Sequence, residues 1–329
     1  MRALVLTAGL GTRLRPLTLA RAKAAAPVDG EPLARRTIRW LVGHGVRDLV
    51  LNLHHKPESI AAAVGDGADL EARVRYSWES PILGSAGGPR HALPLLLDRR
   101  SPEIGDSGLS RRSGDAAAAA TFILVNGDTL TDLDLPAMIA EHRRTGALVT
   151  MALIPNPRPD KYGGVLLDDD GAVTGFTRRG SLERSFHFIG PQVVEAAAFV
   201  ALEDGVPAET VVGIYPALIA SRPGSVRGFV SEAVFHDIGT PADLLRTSLD
   251  LAAADGRVDR PHWGRNPQVA ATARITRSVL WDDVTVGAGA VLTECIVADG
   301  VHVPDGVVLS RCAITRGARD LEIVELDRP

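Results

Sequence analysis

The chain has 329 residues, room for one large domain and a smaller one, and its 45% apolar content supplies an ordinary globular core. With 36 basic and 40 acidic side chains the net charge is −4 and the arginines are dispersed, which argues against nucleic acid as a partner. Apolar runs fall well short of the about 20 residues a membrane span requires, and Met1-Arg2 leads straight into an apolar strand, so a cytoplasmic protein without a membrane segment is expected. Two cysteines, Cys295 and Cys312, speak against a disulfide framework or a thiolate zinc site.

The first element is a short buried strand, Ala3 to Leu6, of the kind that feeds a turn in a parallel sheet. Chemistry then belongs at its carboxyl end, where Ala8, Gly9, Gly11, Thr12, Arg13 and Arg15 follow. Two glycines let the backbone bend and turn N–H groups toward an anion, while the hydroxyl and the arginines add donors and charge suited to a triphosphate. The pair alone also fits an ordinary strand-to-helix turn. It is not a dinucleotide fingerprint, since Leu14 stands where a third glycine belongs, and no P-loop lysine motif is present.

Leu33 to His44 has helical spacing closed by Gly45, Asp48 to Leu53 reads as a strand, Ser59 to Val64 as a short helix and Val74 to Ser77 as a third strand. This alternation predicts a doubly wound, mostly parallel α/β sheet with ligands at the carboxyl ends of its strands. Glu79 to Gly88 is a small-residue loop containing Gly84, Ser85 and Ala86, before a helix expected around Arg90 to Leu97. Asp98 to Ala120 reads as a low-complexity surface insertion. Phe122 to Val125 is another strand, ending in Asn126-Gly127-Asp128-Thr129; an aspartate there suits a Mg²⁺ ion and a helix cap equally well. Ala147 to Ile154 is a strand, and Lys161 to Leu167 with Ala172 to Phe176 forms an antiparallel hairpin whose turn is Asp168 to Gly171. Thr240 to Asp243 opens a helix with proline in its first turn; capping accounts for Thr240 and Asp243 but not for Asp237.

The tail repeats. Ser278 to Glu294 and Cys295 to Arg311 align without a gap at a period of 17, pairing Val279 with Ile296, Val284 with Val301, Val286 with Val303, Gly289 with Gly306 and Leu292 with Leu309. Recurrent aliphatic positions and glycine turns predict about two stacked coils of parallel β-helix, with Cys295 and Cys312 as stacked, buried neighbours. The expected boundaries are a domain over 1–255, a polar connector over 256–267 and the repeats over 268–320.

The string Ala8 to Thr18 (AGLGTRLRPLT), with Lys23 and Pro27-Val28, resembles the signature of the sugar-nucleotide pyrophosphorylases, which join a nucleoside triphosphate to a sugar 1-phosphate. The likeness extends over most of residues 1–250. Leu83 to Gly87 is similar to the family's L-G-T-A-G loop, which holds base and ribose; Asn126-Gly127-Asp128 matches its N-G-D and Asp237 to Pro241 its D-I-G-T-P. The resemblance implies a Rossmann-like nucleotidyltransferase fold, with Gly11, Thr12 and Arg13 on the β- and γ-phosphates, Lys23 on the α-phosphate, and Asp128 and Asp237 holding Mg²⁺. It also implies Ala8, Gly9, Glu79, Gly84, Ser85 and Ala86 around the nucleotide, and Gly164 and Arg179 at the sugar phosphate. Ala22 stands where the family has a proline before its lysine, and Arg178-Arg179-Gly180 where it usually has Glu-Lys-Pro. The tail is similar to the left-handed hexapeptide repeats of some members and implies a homo-oligomer through the repeats. Acyltransferase tails have many more coils and a catalytic histidine, whereas His302 is alone here. Glu79 and the G-S-A-G-G loop resemble the guanylyl-transferring branch acting on mannose 1-phosphate or a heptose 1-phosphate; uridylyl or thymidylyl transfer and a non-catalytic regulatory subunit are the alternatives.

Overall fold

The computed structural model describes residues 1–97, 120–317 and 320–326, which divide into two compact units. One gathers Met1–Ala8, Ile38–His54 and Gly65–Phe235, the other Gly9–Thr37, His55–Val64 and the chain from His236 onward. The expected insertion lies, apart from Ala120, outside the described residues.

The first unit is built on a nine-stranded sheet. Strand Arg2–Leu6 lies between Asp48–Leu53 and Thr121–Asn126, parallel to both, and Asp48–Leu53 is parallel to Arg73–Trp78. In this half Ala3, Leu4 and Val5 are wholly buried, as a strand covered on both faces must be. Its second half is mixed: Phe186–Glu195 runs antiparallel between Thr121–Asn126 and Val149–Pro155, and Val226–Val230 pairs parallel with the latter. A register shift between Phe188 and Gln192 frees the start of the long strand to meet the hairpin of Gly164–Leu167 and Val173–Thr177.

Side-chain alternation explains why strand Val149–Pro155 is buried on both faces as far as Ile154. Val149, Met151 and Leu153 enter one core with Leu4, Val50, Phe122 and Leu124, whereas Ala152 and Ile154 enter another with Leu133, Met138 and Val193. Helix Gly84–Leu97 begins six residues before Arg90, so the glycine-rich segment expected to be a loop forms the first turns of the helix. The three parallel strands Arg2–Leu6, Asp48–Leu53 and Thr121–Asn126 bring Leu6, Leu53 and Asn126 to one end of the sheet, where the Asn-Gly-Asp motif starts.

In the second unit, helix Pro241–Ala254 opens with a capping box, Thr240 and Asp243 each bonding the other's backbone N–H. The repeats form three ladders of parallel strands, Gln268–Val269 with Thr285–Val286 and His302–Val303, Arg274–Thr276 with Val291–Thr293 and Val308–Ser310, and Val279–Leu280 with Ile296–Val297 and Cys312–Arg316. The stack therefore has three rungs where the period indicates about two. Its first rung pairs already at Gly264 and Gln268 but carries few aliphatic residues, so the repeat is faint there. Corners recur in the left-handed region at Asn266, Asp283 and Gly300 and again at Arg277, Glu294 and Arg311, six residues of which one is glycine. Leu280, Val286, Leu292, Cys295, Val297, Val303 and Ile314 fill the interior, and Leu321–Glu325 pairs antiparallel onto the last rung. Cys295 and Cys312 are free, buried thiols, and burial pushes that of Cys295 up to about 11.

Candidate functional site

In the sheet unit, the chain leaves the first strand through Thr7 and Ala8, whose N–H groups both donate to Oδ1 of Asn52, at 2.6 and 3.2 Å. The Asn52 amide in turn donates to Oε1 of Glu79 at 2.6 Å, and Oε2 of Glu79 accepts the Leu83 N–H at 2.8 Å. Glu79 is 1% exposed and Asn52 2%, so this carboxylate is buried and its two oxygens tie the end of strand Asp48–Leu53 to the start of the Leu83–Gly87 segment. A Cβ on Gly88 would fall 2.6 Å from Glu79 Oε1 and 3.0 Å from Asn52 Nδ2, which is why this position has no side chain.

The same segment is braced from its other side. Gly84 lies at φ +76°, and the Ala86 and Gly87 N–H groups donate to the Ala208 carbonyl. The Ser85 hydroxyl donates to Glu209 Oε2 at 2.5 Å and accepts the Thr210 N–H at 2.9 Å. Glu209 itself is exposed. Asn52 and Glu209 escaped the sequence reading; a lone asparagine in the apolar Leu49–Leu53 strand was a usable signal, whereas Glu209, more than a hundred residues from Ser85, gave none. At the neighbouring strand end the Gly127 N–H donates to the Leu6 carbonyl at 3.0 Å, and a Cβ there would meet that oxygen at 2.5 Å. The glycine thus lets the chain pass close by the first strand before Asp128, which is half-buried.

In the second unit, Gly11 adopts φ 61°, ψ 33° and starts the short 3₁₀ turn Thr12–Leu14. A Cβ on Gly11 would lie 2.7 Å from Thr18 Cγ2 and 3.2 Å from the Cβ of Lys23, so the turn, Thr18 and Lys23 form one packed knot. Thr18 Oγ1 donates to the Gly11 carbonyl at 3.0 Å. Gly9, by contrast, has open space around it. Thr12 and Arg13 are exposed, and the Arg13 guanidinium reaches Gly239: a Cβ built there would be 2.9 Å from Arg13 Nη1 and 3.3 Å from Asp237 Oδ2. Gly11, Arg13, Lys23 and Asp237 are thereby gathered in this unit; Ala8, Glu79, Gly84, Ser85, Ala86, Asp128, Gly164 and Arg179 belong to the sheet unit.

Gly164 opens the hairpin, where a Cβ would run into the Ser185 hydroxyl and Thr177 Oγ1, and Arg178 and Arg179 are exposed just beyond the returning strand. His187 stacks on Tyr162 at 4.1 Å between ring centroids and edges Phe235 at 4.8 Å. Burial lowers its pKa to about 4, helped by the Lys161 charge and opposed by a hydrogen bond to the Gly163 backbone, so the ring is neutral at pH 7. Among the described residues no three His, Cys, Asp or Glu side chains cluster as a metal site, and no helix is long and apolar enough to cross a membrane. Asp128 in the sheet unit and Asp237 in the second unit each offer hard carboxylate oxygens of the kind a divalent metal takes.

The family model described as nucleotidyl transferase matches residues 2–254, and one described as GlmU-like C-terminal hexapeptide matches residues 247–314. A mannose-1-phosphate guanylyltransferase of Mycobacterium tuberculosis is 29% identical over 250 residues, 76% of this chain and 64% of that protein. A UTP–glucose-1-phosphate uridylyltransferase of Synechocystis is 30% identical over 196 residues, 56% of this chain and 46% of that protein. The matched regions thus span less than two thirds of these relatives. The crystal structure of HddC from Yersinia pseudotuberculosis superposes with a TM-score of 0.58 at 21% identity, covering 75% of this chain and 97% of that one. A structure titled as a putative glucose-1-phosphate thymidylyltransferase from Bacillus anthracis gives 0.62 at 15% identity, covering 78% and 95%. These two likenesses concern the fold.

Proposed function

Because the chain belongs to the nucleotidyl transferase family, we propose that it joins a nucleoside triphosphate to a sugar 1-phosphate, releasing pyrophosphate. The observation that carries this reading is the Gly11 knot, a left-handed turn packed on Thr18 and Lys23 with Arg13 reaching the Asp237–Gly239 segment. Such a turn presents backbone N–H groups and fixed cations to a phosphate chain. In the reaction a phosphate oxygen of the sugar 1-phosphate attacks the α-phosphorus, the bond from that phosphorus to the β-phosphate oxygen breaks, and pyrophosphate leaves. The attacking phosphate is already ionised, so the residues act by positioning and by neutralising charge rather than as a general base.

Gly11, Thr12 and Arg13 hold the β- and γ-phosphates and Lys23 faces the α-phosphate. Asp128 and Asp237 would hold Mg²⁺, which supplies neutralisation of phosphate charge. Gly164 gives the sugar phosphate a close backbone approach, and Arg179 gives it positive charge. Ala8, Gly9 and the Gly84–Ala86 turn line the nucleotide, with Glu79 setting the shape of that turn through Leu83 and Asn52. For the base, the resemblance of Glu79 and the Gly84–Gly88 segment to the guanylyl-transferring branch, and the likeness to the Mycobacterium tuberculosis protein, support guanine. GTP with mannose 1-phosphate or a heptose 1-phosphate is therefore the proposed pair. Its rival is UTP with glucose 1-phosphate, favoured by the likeness to the Synechocystis protein. We place the activity in the cytoplasm and assign the repeats a second role in self-association, since Val308, Ile323 and Val324 are exposed on the last rung.

Pyrophosphate release with Mg²⁺, measured for four triphosphates each paired with glucose, mannose, heptose and amino-sugar 1-phosphates, tests the proposal. Release confined to GTP with mannose or heptose 1-phosphate is the expected result. Release with UTP would replace the base assignment. Nucleotide binding without release from any pair would replace catalysis with a regulatory, sugar-nucleotide-binding role.

A further inference from the structure

The segment Leu17–Ala26, which carries Lys23, is held by the burial of Leu17 and Thr18 and by braces from other parts of the chain. Ala22, Ala24, Ala25 and Ala26 are buried but small. Hydrogen bonds brace it from nearby, among them the Ala22 N–H to Ser59 Oγ at 3.0 Å, the Leu33 N–H to the Ala26 carbonyl at 3.0 Å and His55 Nε2 to the Thr18 carbonyl at 3.2 Å. The strongest brace comes from the tail. Arg21 donates through Nε to Asp299 Oδ2 at 2.5 Å, and through Nη2 to Asp299 Oδ1 and Asp282 Oδ2, both at 2.6 Å.

Asp282 and Asp299 occupy equivalent places on successive rungs, 17 residues apart. Stacked carboxylates repel, and a half-buried pair of them persists only if cations and N–H groups satisfy it. Asp282 accepts the Arg265 backbone N–H at 2.8 Å and the Arg265 guanidinium at 2.8 Å, and its own N–H donates to Asp299 Oδ1 at 3.1 Å. Arg21 completes the set, lying over the Trp281 ring at 5.7 Å from its centroid. This ladder of Arg265, Asp282 and Asp299 ties successive rungs through backbone N–H groups, outside the aliphatic interior of the stack. On its outer side the same two carboxylates grip Arg21.

We infer that the repeat tail serves as a buttress for Lys23, with Arg21 as a positioning residue that the rungs hold through Asp282 and Asp299. The inference rests on the proposed transferase reading for its effect on turnover, but the placement of Lys23 stands apart from that reading. Without the grip, an alanine-rich segment two residues from its anchor drifts, and Lys23 loses its fixed place against Gly11.

The test uses the full chain and two readouts. The first is the rate at which an amine-reactive acylating reagent labels Lys23, followed by peptide mass spectrometry with Lys161 as internal reference. In Arg21→Ala this rate is expected to change several-fold while that of Lys161 holds, and Arg21→Lys, which keeps one ion pair, is expected to restore it. Asp299→Asn removes one carboxylate without touching the segment, so it carries the test if Arg21→Ala does not fold. It is expected to give an intermediate change. The second readout is kinetic: kcat for pyrophosphate release is expected to fall by roughly tenfold or more in Arg21→Ala with KM for the triphosphate nearly unchanged, because Lys23 acts on charge at the α-phosphate in the transition state. Unchanged Lys23 labelling in folded Arg21→Ala and Asp299→Asn would overturn the buttress whatever the wild type does with substrate. Altered labelling in a wild type that releases no pyrophosphate would keep the buttress and reject the transferase.

Discussion

Around Glu79 the chain buries a carboxylate and satisfies it with the Asn52 amide and the Leu83 N–H, whereas around Gly11 it leaves Thr12 and Arg13 exposed and fixes only the backbone beneath them. The first arrangement is rigid because an unpaired buried charge is expensive; the second is rigid because glycine alone tolerates the turn and Thr18 and Lys23 fill the space where a side chain would go. A buried network resists deformation but has few groups left over for a ligand. An exposed turn keeps its donors available, and its precision must be supplied from outside, by packing and by the tail.

The comparison breaks most severely if chemistry is removed without disturbing either arrangement. Asp128→Asn is expected to abolish pyrophosphate release, by a factor of roughly a thousand or more, while circular dichroism and the melting temperature stay near wild type, since Asp128 is a half-buried strand-end group outside both cores. Turnover that persists in this variant would remove Asp128 from the metal assignment.

A pair of glycine variants sharpens the second arrangement. Gly11→Ala forces a Cβ to 2.7 Å from Thr18 Cγ2 in a left-handed conformation, costing about 1–2 kcal/mol for the backbone alone and pushing against Lys23. Turnover is expected to drop by roughly ten- to a hundred-fold, more than the stability change suggests. Gly9→Ala enters open space without a positive φ and is expected to be close to neutral. Steady-state kinetics on the two variants, beside their melting temperatures, checks the contrast. Equal effects would mean that both glycines serve ligand approach and neither serves packing.

Glu79→Gln tests the buried arrangement. A glutamine in this place points an NH₂ group at one of two donors, Asn52 Nδ2 or the Leu83 N–H, so a buried hydrogen bond is lost at a cost of about 1–3 kcal/mol. The urea midpoint is expected to fall accordingly, and KM for the triphosphate to rise with the loosened Leu83–Gly87 segment. A midpoint that holds while KM rises would instead make Glu79 a direct contact of the nucleotide.

These residues also mark how far sequence reaches. The strand-turn motif, Asn126-Gly127-Asp128 and the 17-residue period were legible because each is local or periodic: buried parallel strands are short apolar runs, and β-helix rungs repeat their corners. The antiparallel course of Phe186–Glu195 between two other strands was not, since direction depends on partners far away in the chain. Gly9 and Gly11 look alike on paper, and only the positions of Thr18 and Lys23 separate them. The resemblance places Glu79 at the nucleotide, whereas its burial and its bond to Asn52, 27 residues earlier, had no local signal. Arg21 lies more than 260 residues from both Asp282 and Asp299, and nothing local in either segment announces the other.

The smallest effect concerns a group outside both arrangements. His187 is held neutral between Tyr162 and Phe235, with its Nδ1 buried and without a partner among the described residues, and its folded pKa is about 4 against an ordinary 6.5. The sign follows from proton counting. Between pH 6.5 and 4 the unfolded chain takes up a proton at this ring that the native chain refuses, so stability is whole above about pH 6.5, falls as the pH drops toward 4, and falls no further from this group below that. Because part of the ring faces solvent, the slope is shallow, and carboxylates such as Asp29, held below their usual range by Arg257 and the His262 N–H against the opposing effect of burial, add their own loss only at lower pH. Urea midpoints at several pH values for the wild type and His187→Gln isolate the ring: the wild type is expected to lose stability relative to the variant between pH 6.5 and 4, and parallel curves would mean that His187 protonates in place, with the Tyr162 stack opening to admit the charge.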